Sequence, residues 1–165
     1  MHGRLRPNAP PGRAPQEVQE LARLLVAVRR GRIVEVTGPR EVGGRLVRAA
    51  AARLASNFVD GVAVVELGRP HGPGAWSAFG SLGGTPFPPC GTGDPIARFA
   101  GQDMLLVVDG SEHLCPEARI RLRSLLEGSA GVRLLAAGSR PLGLDGTGGS
   151  RLRTHAMAVG RPSAR

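Results

Sequence analysis

The stretch RIVEVTGPREVGGR, residues 32–45, decides the fold of this 165-residue chain. Its first half, RIVEVT, is short and β-branched, which is typical of a buried strand. Its second half, GPREVGGR, is rich in glycine, and after it apolar residues recur at helical spacing as far as Phe58. The stretch therefore predicts a strand over residues 32–37, a glycine loop over residues 38–45, and then a helix.

Outward from this stretch, three more apolar runs have the length of strands: residues 62–67, 104–109 and 132–137. The run MLLVVD is nearly all apolar, as expected of a central strand covered on both faces. Helical patterns run from Pro15 to Gly31 and from Pro116 to Glu127, with a proline at each start and a glycine at each end. Strands that alternate with helices predict a three-layer α/β domain with a mostly parallel sheet over residues 15–144.

Three segments lack these patterns. Residues 1–14 are rich in Pro, Arg and Gly, which predicts a disordered lead-in. Of the 28 residues in 68–95, 14 are Gly or Pro, which predicts a long mobile loop. A short helix is predicted from Asp94 to about Ala100. Residues 145–165 are glycine-rich and then basic, so a flexible basic tail is predicted there.

The positive charge lies at the ends of the chain. All 22 basic side chains are arginine, and the net charge is +9. Residues 1–32 carry seven Arg and two Glu, residues 151–165 carry four Arg and no acid, and residues 33–150 are neutral. A nucleic-acid-binding domain needs its positive charge on a folded face. In this chain the positive charge lies at the ends instead. Binding of nucleic acid or of an acidic partner through these two Arg-rich ends is an alternative function.

Composition also bounds the cellular context. No run of 18 apolar residues is present, and the basic start lacks the apolar segment of a signal peptide. The two cysteines, Cys90 and Cys115, have neither metal-ligand nor disulfide spacing. We therefore expect a cytoplasmic protein without a membrane partner.

The glycine loop lies where a phosphate-binding loop would lie, between a strand and a helix N-terminus. Backbone N–H groups and the helix dipole favour an anion at such a place. The full signature, GxxxxGK[ST], adds a lysine for the β- and γ-phosphates and a hydroxyl for magnesium. Gly38 and Gly43 keep the glycine spacing. Gly44 and Arg45, however, replace the lysine and the hydroxyl residue, and Glu41 adds a negative charge.

Two further candidates follow buried strands. Asp109 ends the third strand, where a Walker-B acid would bind magnesium, although a polar strand end leading into a turn is an equally good explanation. Arg140 follows the fourth strand, where it would face a γ-phosphate or would simply be one of many exposed arginines. Arg45 or Arg48 would have to replace the charge of the lysine, although a guanidinium is a poor magnesium partner.

Three segments, in this order, resemble the NB-ARC-like STAND ATPase domain of bacterial LuxR- and SARP-type transcriptional regulators. They are the stretch from RIVEVTGPREVGG to the end of the second predicted strand (32–67), MLLVVDGSEHLCPEA (104–118) and VRLLAAGSRPLGLDG (132–146). The resemblance implies a P-loop NTPase-like fold, ATP or ADP with magnesium as cofactors, and a protein partner in a regulatory pathway. By position, Gly38, Pro39, Val42 and Gly43 match the phosphate loop, Asp109 matches the magnesium acid, and Arg140 approximates the γ-phosphate sensor.

The chain departs from that family at the residues that bind phosphate and magnesium. The lysine and threonine are replaced by Gly44 and Arg45, which complete the predicted cofactor site, and one residue is missing next to Arg140. Each phosphate contact of the lysine is worth about 1.5–3 kcal/mol. Loss of the lysine together with the hydroxyl ligand of magnesium should lower ATP affinity at least about tenfold to a hundredfold. We therefore expect a degenerate nucleotide-binding module without hydrolysis. The alternative in the enzyme class is an ATP-binding switch that uses Arg45 in place of the lysine.

Overall fold

The computed structural model describes residues 13–67, 99, 101–144 and 154–160. In chain order, its helices and strands are α1 (Arg13–Arg30), β1 (Ile33–Thr37), α2 (Arg40–Leu54), β2 (Val62–Glu66), β3 (Met104–Asp109), α3 (Pro116–Gly128), β4 (Val132–Gly138) and β5 (Thr154–Ala158). Single 3-10 turns follow α2 at Ala55–Asn57 and β3 at Ser111–His113. The four predicted strands and the three longer predicted helices are confirmed. The helix α2, however, begins at Arg40, inside the predicted glycine loop.

The sheet has five strands in the order β2-β3-β4-β1-β5, and every neighbouring pair is parallel. This confirms the predicted α/β class. All six residues of β3 are buried, as its continuous apolar run indicates. Thr37 lies beside Gly138 and Ala158, and Glu66 lies beside Asp109. The carboxyl ends of all five strands therefore meet at one edge of the sheet.

Helices cover both faces of the sheet. Side chains alternate between the two faces along each strand, so each face contributes apolar residues to a separate core. On one face, Val34 and Leu135 pack with apolar residues of α1 and α2. On the other face, Leu106 and Leu134 pack with apolar residues of α3. The β1-to-β2 connection and the β3-to-β4 connection run in opposite directions across the sheet. Right-handed crossovers then require α2 and α3 to lie on opposite faces.

The flexible tail predicted for residues 145–165 is wrong at Thr154–Ala158, which form the edge strand β5 beside β1. This strand has only five residues and no buried one, so it has no clear apolar alternation. Of the short helix predicted from Asp94 to Ala100, the structure describes Phe99, which is helical and buried.

Other predicted segments lie outside the described residues. These are nearly all of the lead-in, the Gly/Pro-rich loop over residues 68–95, and most of the basic ends. Arg13 and Ala14, which the sequence placed in the lead-in, are instead the first residues of α1. Within the described part of the chain, no helix combines the length and the apolarity needed to cross a membrane.

Candidate functional site

The segment between β1 and α2 is a tight turn. The helix begins directly after Pro39, whose backbone is extended. Val42 and Gly43 each donate a backbone N–H group to the Pro39 carbonyl at 3.0 Å, and Gly38 donates its N–H to the Gly138 carbonyl at 3.2 Å. The predicted glycine loop is thus reduced to two residues. Three of the N–H groups expected to hold phosphate are already bonded within the protein.

The chain that follows β5 packs against this turn. A Cβ atom on Gly38 would lie 2.5 Å from the carbonyl oxygen of Val159, so this close approach requires glycine. A Cβ atom on Gly160 would lie 3.0 Å from Cδ of Pro39, and the Gly160 N–H donates to Oε1 of Glu20 on α1 at 3.2 Å. The matched glycine at position 38 is therefore explained by packing against Val159.

Asp109 lies where the lysine of the signature would extend. A Cβ atom on Gly44 would lie 2.6 Å from Oδ2 of Asp109 and 3.1 Å from its Oδ1. The carboxylate is at the carboxyl end of β3, and Asp109 is only 8% exposed. The missing side chain at residue 44 thus leaves the room that the carboxylate occupies. A longer residue at this position would have to displace Asp109.

Arg48 supplies the positive charge beside this carboxylate. Its Nη1 donates to Oδ2 of Asp109 at 2.6 Å and to Oε1 of Glu66 at 3.2 Å. It lies one helical turn after Gly44, so both residues are on the same face of α2. Arg40, in the first turn of α2, donates to the Leu67 carbonyl at 2.9 Å. An arginine of the chain therefore binds the acid that was predicted to hold magnesium.

Burial is the largest influence on the pKa of the Asp109 carboxyl. Desolvation raises the pKa of its carboxyl above the ordinary value, and the negative charge of Glu66 raises it further. The guanidinium groups of Arg48 and Arg40 oppose this shift, because they stabilise the ionised form. The net pKa is raised, so the folded protein holds a proton at Asp109 more readily than the unfolded chain does.

We expect this shift to lower the free energy of unfolding as the pH rises. Between the ordinary carboxyl pKa of about 4 and the raised pKa of folded Asp109, the folded state binds more protons, so stability falls with increasing pH. The variant Asp109→Asn lacks this contribution. The stability of the wild type minus that of the variant, measured by urea unfolding from about pH 4 to 7, should decline. A difference that rises with pH would contradict the assignment.

Arg45 and Arg140 have other partners. Nη2 of Arg45 forms an ion pair with Oε1 of Glu17 on α1 at 2.7 Å, and Nη2 of Arg140 donates to the Glu112 carbonyl at 3.2 Å. Neither arginine is among the charges that shift the pKa of Asp109. Of the residues predicted to bind the cofactor, the structure therefore brings Asp109 against Gly44, while the side chains of Arg45 and Arg140 are held elsewhere.

Sequence reasoning missed three charged residues and undervalued a fourth. Arg48 was considered only as a substitute for the lysine, and Arg40 was not considered. Glu66 ends β2 and lies beside Asp109. Parallel strand ends share an edge, so its place at that edge was predictable, whereas the pairing of β2 with β3 was not. Glu35 is a buried carboxyl in β1, and its Oε2 accepts the Leu142 N–H at 3.1 Å. The occurrence of an acid inside an otherwise apolar strand could have identified Glu35 from the sequence.

Comparison of the chain with protein-family models and with curated proteins finds no match. Within residues 13–67, 99, 101–144 and 154–160, no three His, Cys, Asp or Glu side chains are grouped so that they could hold a metal ion. The site thus consists of a buried carboxylate, an arginine bound to it, and a closed turn where a phosphate loop was predicted.

Proposed function

We propose that this chain is a degenerate nucleotide-binding module of a bacterial regulator, a pseudo-ATPase that resembles NB-ARC domains and does not hydrolyse ATP. The observation that carries the proposal is the ion pair of Arg48 with Asp109, packed against Gly44. In an ATPase the equivalent space is needed by the lysine, and the equivalent acid is needed by magnesium. Here the carboxylate of Asp109 fills that space, and Arg48 binds the acid.

The residues present do not fit magnesium and a triphosphate. Residue 45 has no hydroxyl to bind the metal, and an oxygen of Asp109 is 2.6 Å from a guanidinium nitrogen. Binding of magnesium at that oxygen would have to break this charge-assisted hydrogen bond, which is among the stronger contacts of a protein. The N–H groups of Val42 and Gly43 are bonded to Pro39, so a phosphate would also have to open the first turn of α2.

The alternative ATP-binding switch requires Arg45 to take the role of the lysine. Its guanidinium is instead paired with Glu17, on the side of α2 that faces α1. Because that pair is exposed, it is weak and would not by itself hold Arg45 back. The stronger objection is that Asp109 already has its cation in Arg48. An ATP-binding switch that uses Arg45 is therefore less well supported than a degenerate module.

Isothermal titration of the full chain with ATP and ADP, with and without magnesium, tests the proposal. We expect no saturable heat below millimolar nucleotide, and phosphate release no faster than that of Asp109→Asn. The matched variant Arg45→Ala should behave like the wild type. Micromolar, magnesium-dependent binding that Arg45→Ala abolishes would establish the switch instead. ATP turnover above that of the Asp109→Asn variant would refute the pseudo-ATPase.

A further inference from the structure

The outer face of α1 carries an apolar ridge that is exposed. Val18 and Val26 are 68% and 46% exposed, and Ala22, which is also exposed, lies between them at the same spacing of four residues. Residues spaced by four form one row on a helix surface, and such rows are the ridges that pack into the grooves of another helix. The buried residues Leu24 and Val28 face the sheet, so the ridge lies on the side of α1 away from the core.

A cavity of about 280 Å³ adjoins this ridge in the cleft between α1 and α2. Val18 of α1 and Val42 and Ala49 of α2 are among the apolar residues that line it. Its two charged lining residues, Glu17 and Arg45, are paired with each other at 2.7 Å. A large apolar side chain of a helix packed on the ridge would fit between α1 and α2 here, as a knob fits into a hole.

The exposed face of α1 is positively charged. Arg23, Arg29 and Arg30 are exposed, and none of them belongs to an ion pair among the residues that the structure describes. The two acids of α1, Glu17 and Glu20, are half-buried and buried, and both already accept hydrogen bonds. An occupant of this face is therefore complementary to it only when it carries negative charge beside its apolar side chains.

We propose that this face of α1 binds an amphipathic, acidic helix of a partner protein. The apolar side of that helix packs on the ridge and places one large side chain in the cavity, and its carboxylates pair with the three exposed arginines. A contact of one helix with another buries less area than a stable complex needs, so we expect micromolar rather than nanomolar affinity. This inference does not rest on nucleotide binding, because it uses no residue of the Asp109 site.

Charge argues against the segments of this chain that lie outside the described residues. Residues 1–12 and 161–165 contain two arginines each and no acid. Residues 68–98 and 145–153 contain two arginines each and one acid each. All four segments are therefore net positive and would be repelled by the arginines of α1. A second copy of this face carries the same three arginines, so pairing two copies is unfavourable as well.

Fluorescence anisotropy with a labelled peptide of three Glu-Leu-Ala-Ala-Leu-Glu-Glu repeats tests the proposal on the full chain. We expect saturable binding. The double variant Val18→Gln/Val26→Gln removes the ridge without changing the charge, so it should raise the Kd at least about tenfold. Ile120→Gln is the matched control, because Ile120 is an apolar residue of α3 that is 65% exposed, and it should leave the Kd within about twofold.

The arginines and the cavity are tested separately. Arg23→Gln/Arg29→Gln/Arg30→Gln should also raise the Kd at least about tenfold. Arg121→Gln is the matched control, because Arg121 is an exposed arginine of α3. Ala49→Leu fills the cavity, so it should weaken binding while the melting temperature is kept or raised. The same peptide with lysine in place of glutamate, or with serine in place of leucine, should not bind.

Other occupants of this face give different results, and each would overturn the proposal. Absence of saturable binding, or binding that appears only after residues 1–12 are removed, would mean that this chain covers the face itself. A wild-type dimer that Val18→Gln/Val26→Gln dissociates would assign the face to a second copy. Tighter binding of duplex DNA or of phosphatidylserine vesicles than of the peptide would assign it to a nucleic acid or a lipid surface. Peptide binding that survives loss of the two valines would be charge attraction alone.

Discussion

Replacing Gly110 with alanine should destabilise the protein by about 2–4 kcal/mol. Gly110 follows Asp109 directly and has a φ of +81°, where an L-residue loses about 1–2 kcal/mol. A Cβ atom there would also overlap the carbonyl oxygen of Leu67, which is backbone and cannot rotate away. That backbone is held in place, because the Leu67 N–H donates to the Asp109 carbonyl at 2.8 Å. Both penalties fall on the strand ends that form the candidate site.

Gly101→Ala is the matched control for this prediction. Gly101 has a φ of +82°, and no described atom lies within 4 Å of the position its Cβ would take. Alanine there should carry only the conformational penalty of about 1–2 kcal/mol. Urea unfolding of both variants isolates the overlap with Leu67 as the difference between them. Equal losses of stability in the two variants would show that the backbone at Leu67 moves to make room for the methyl group.

The central part of the fold was predictable because its elements are long or strongly apolar. The run Met104–Asp109 is buried on both faces, and the helix Arg13–Arg30 has an apolar stripe with a basic last turn. The strand Thr154–Ala158 was not predictable, because its place at the edge of the sheet leaves it without a buried residue. Only its pairing with β1 defines it as a strand, and that pairing is a tertiary contact.

The candidate site was predictable in position but not in contacts. Residue order placed Asp109 and the glycines at one edge, since parallel strands share their carboxyl ends. Spacing alone did not reveal that the helix starts at Arg40, because the Pro39 carbonyl takes the N–H groups that an open loop would leave free. Nor did it show that a glycine at residue 44 admits a carboxylate, which depends on how closely α2 approaches β3.

Arg48→Ala should destabilise the protein by about 1–2 kcal/mol at neutral pH. The substitution removes the 2.6 Å hydrogen bond to Asp109, whose side chain is 11% exposed, and leaves its carboxylate without that cation. The loss is smaller than for a fully buried pair, because the Arg48 side chain is 45% exposed. Without Arg48 the pKa of Asp109 should rise further, so the loss should shrink as the pH falls and the carboxyl takes up a proton.

The same helix provides the control, because Arg45 also forms an ion pair. Its contact with Glu17 joins side chains that are 59% and 40% exposed, so Arg45→Ala should change stability by no more than about 0.5 kcal/mol. In the Asp109→Asn background, Arg48→Ala should lose most of its effect, since the charge it neutralises is absent. Urea unfolding of the four proteins in this cycle measures the coupling. Additive effects, or equal losses for Arg45→Ala and Arg48→Ala, would mean that the pair does not hold Asp109.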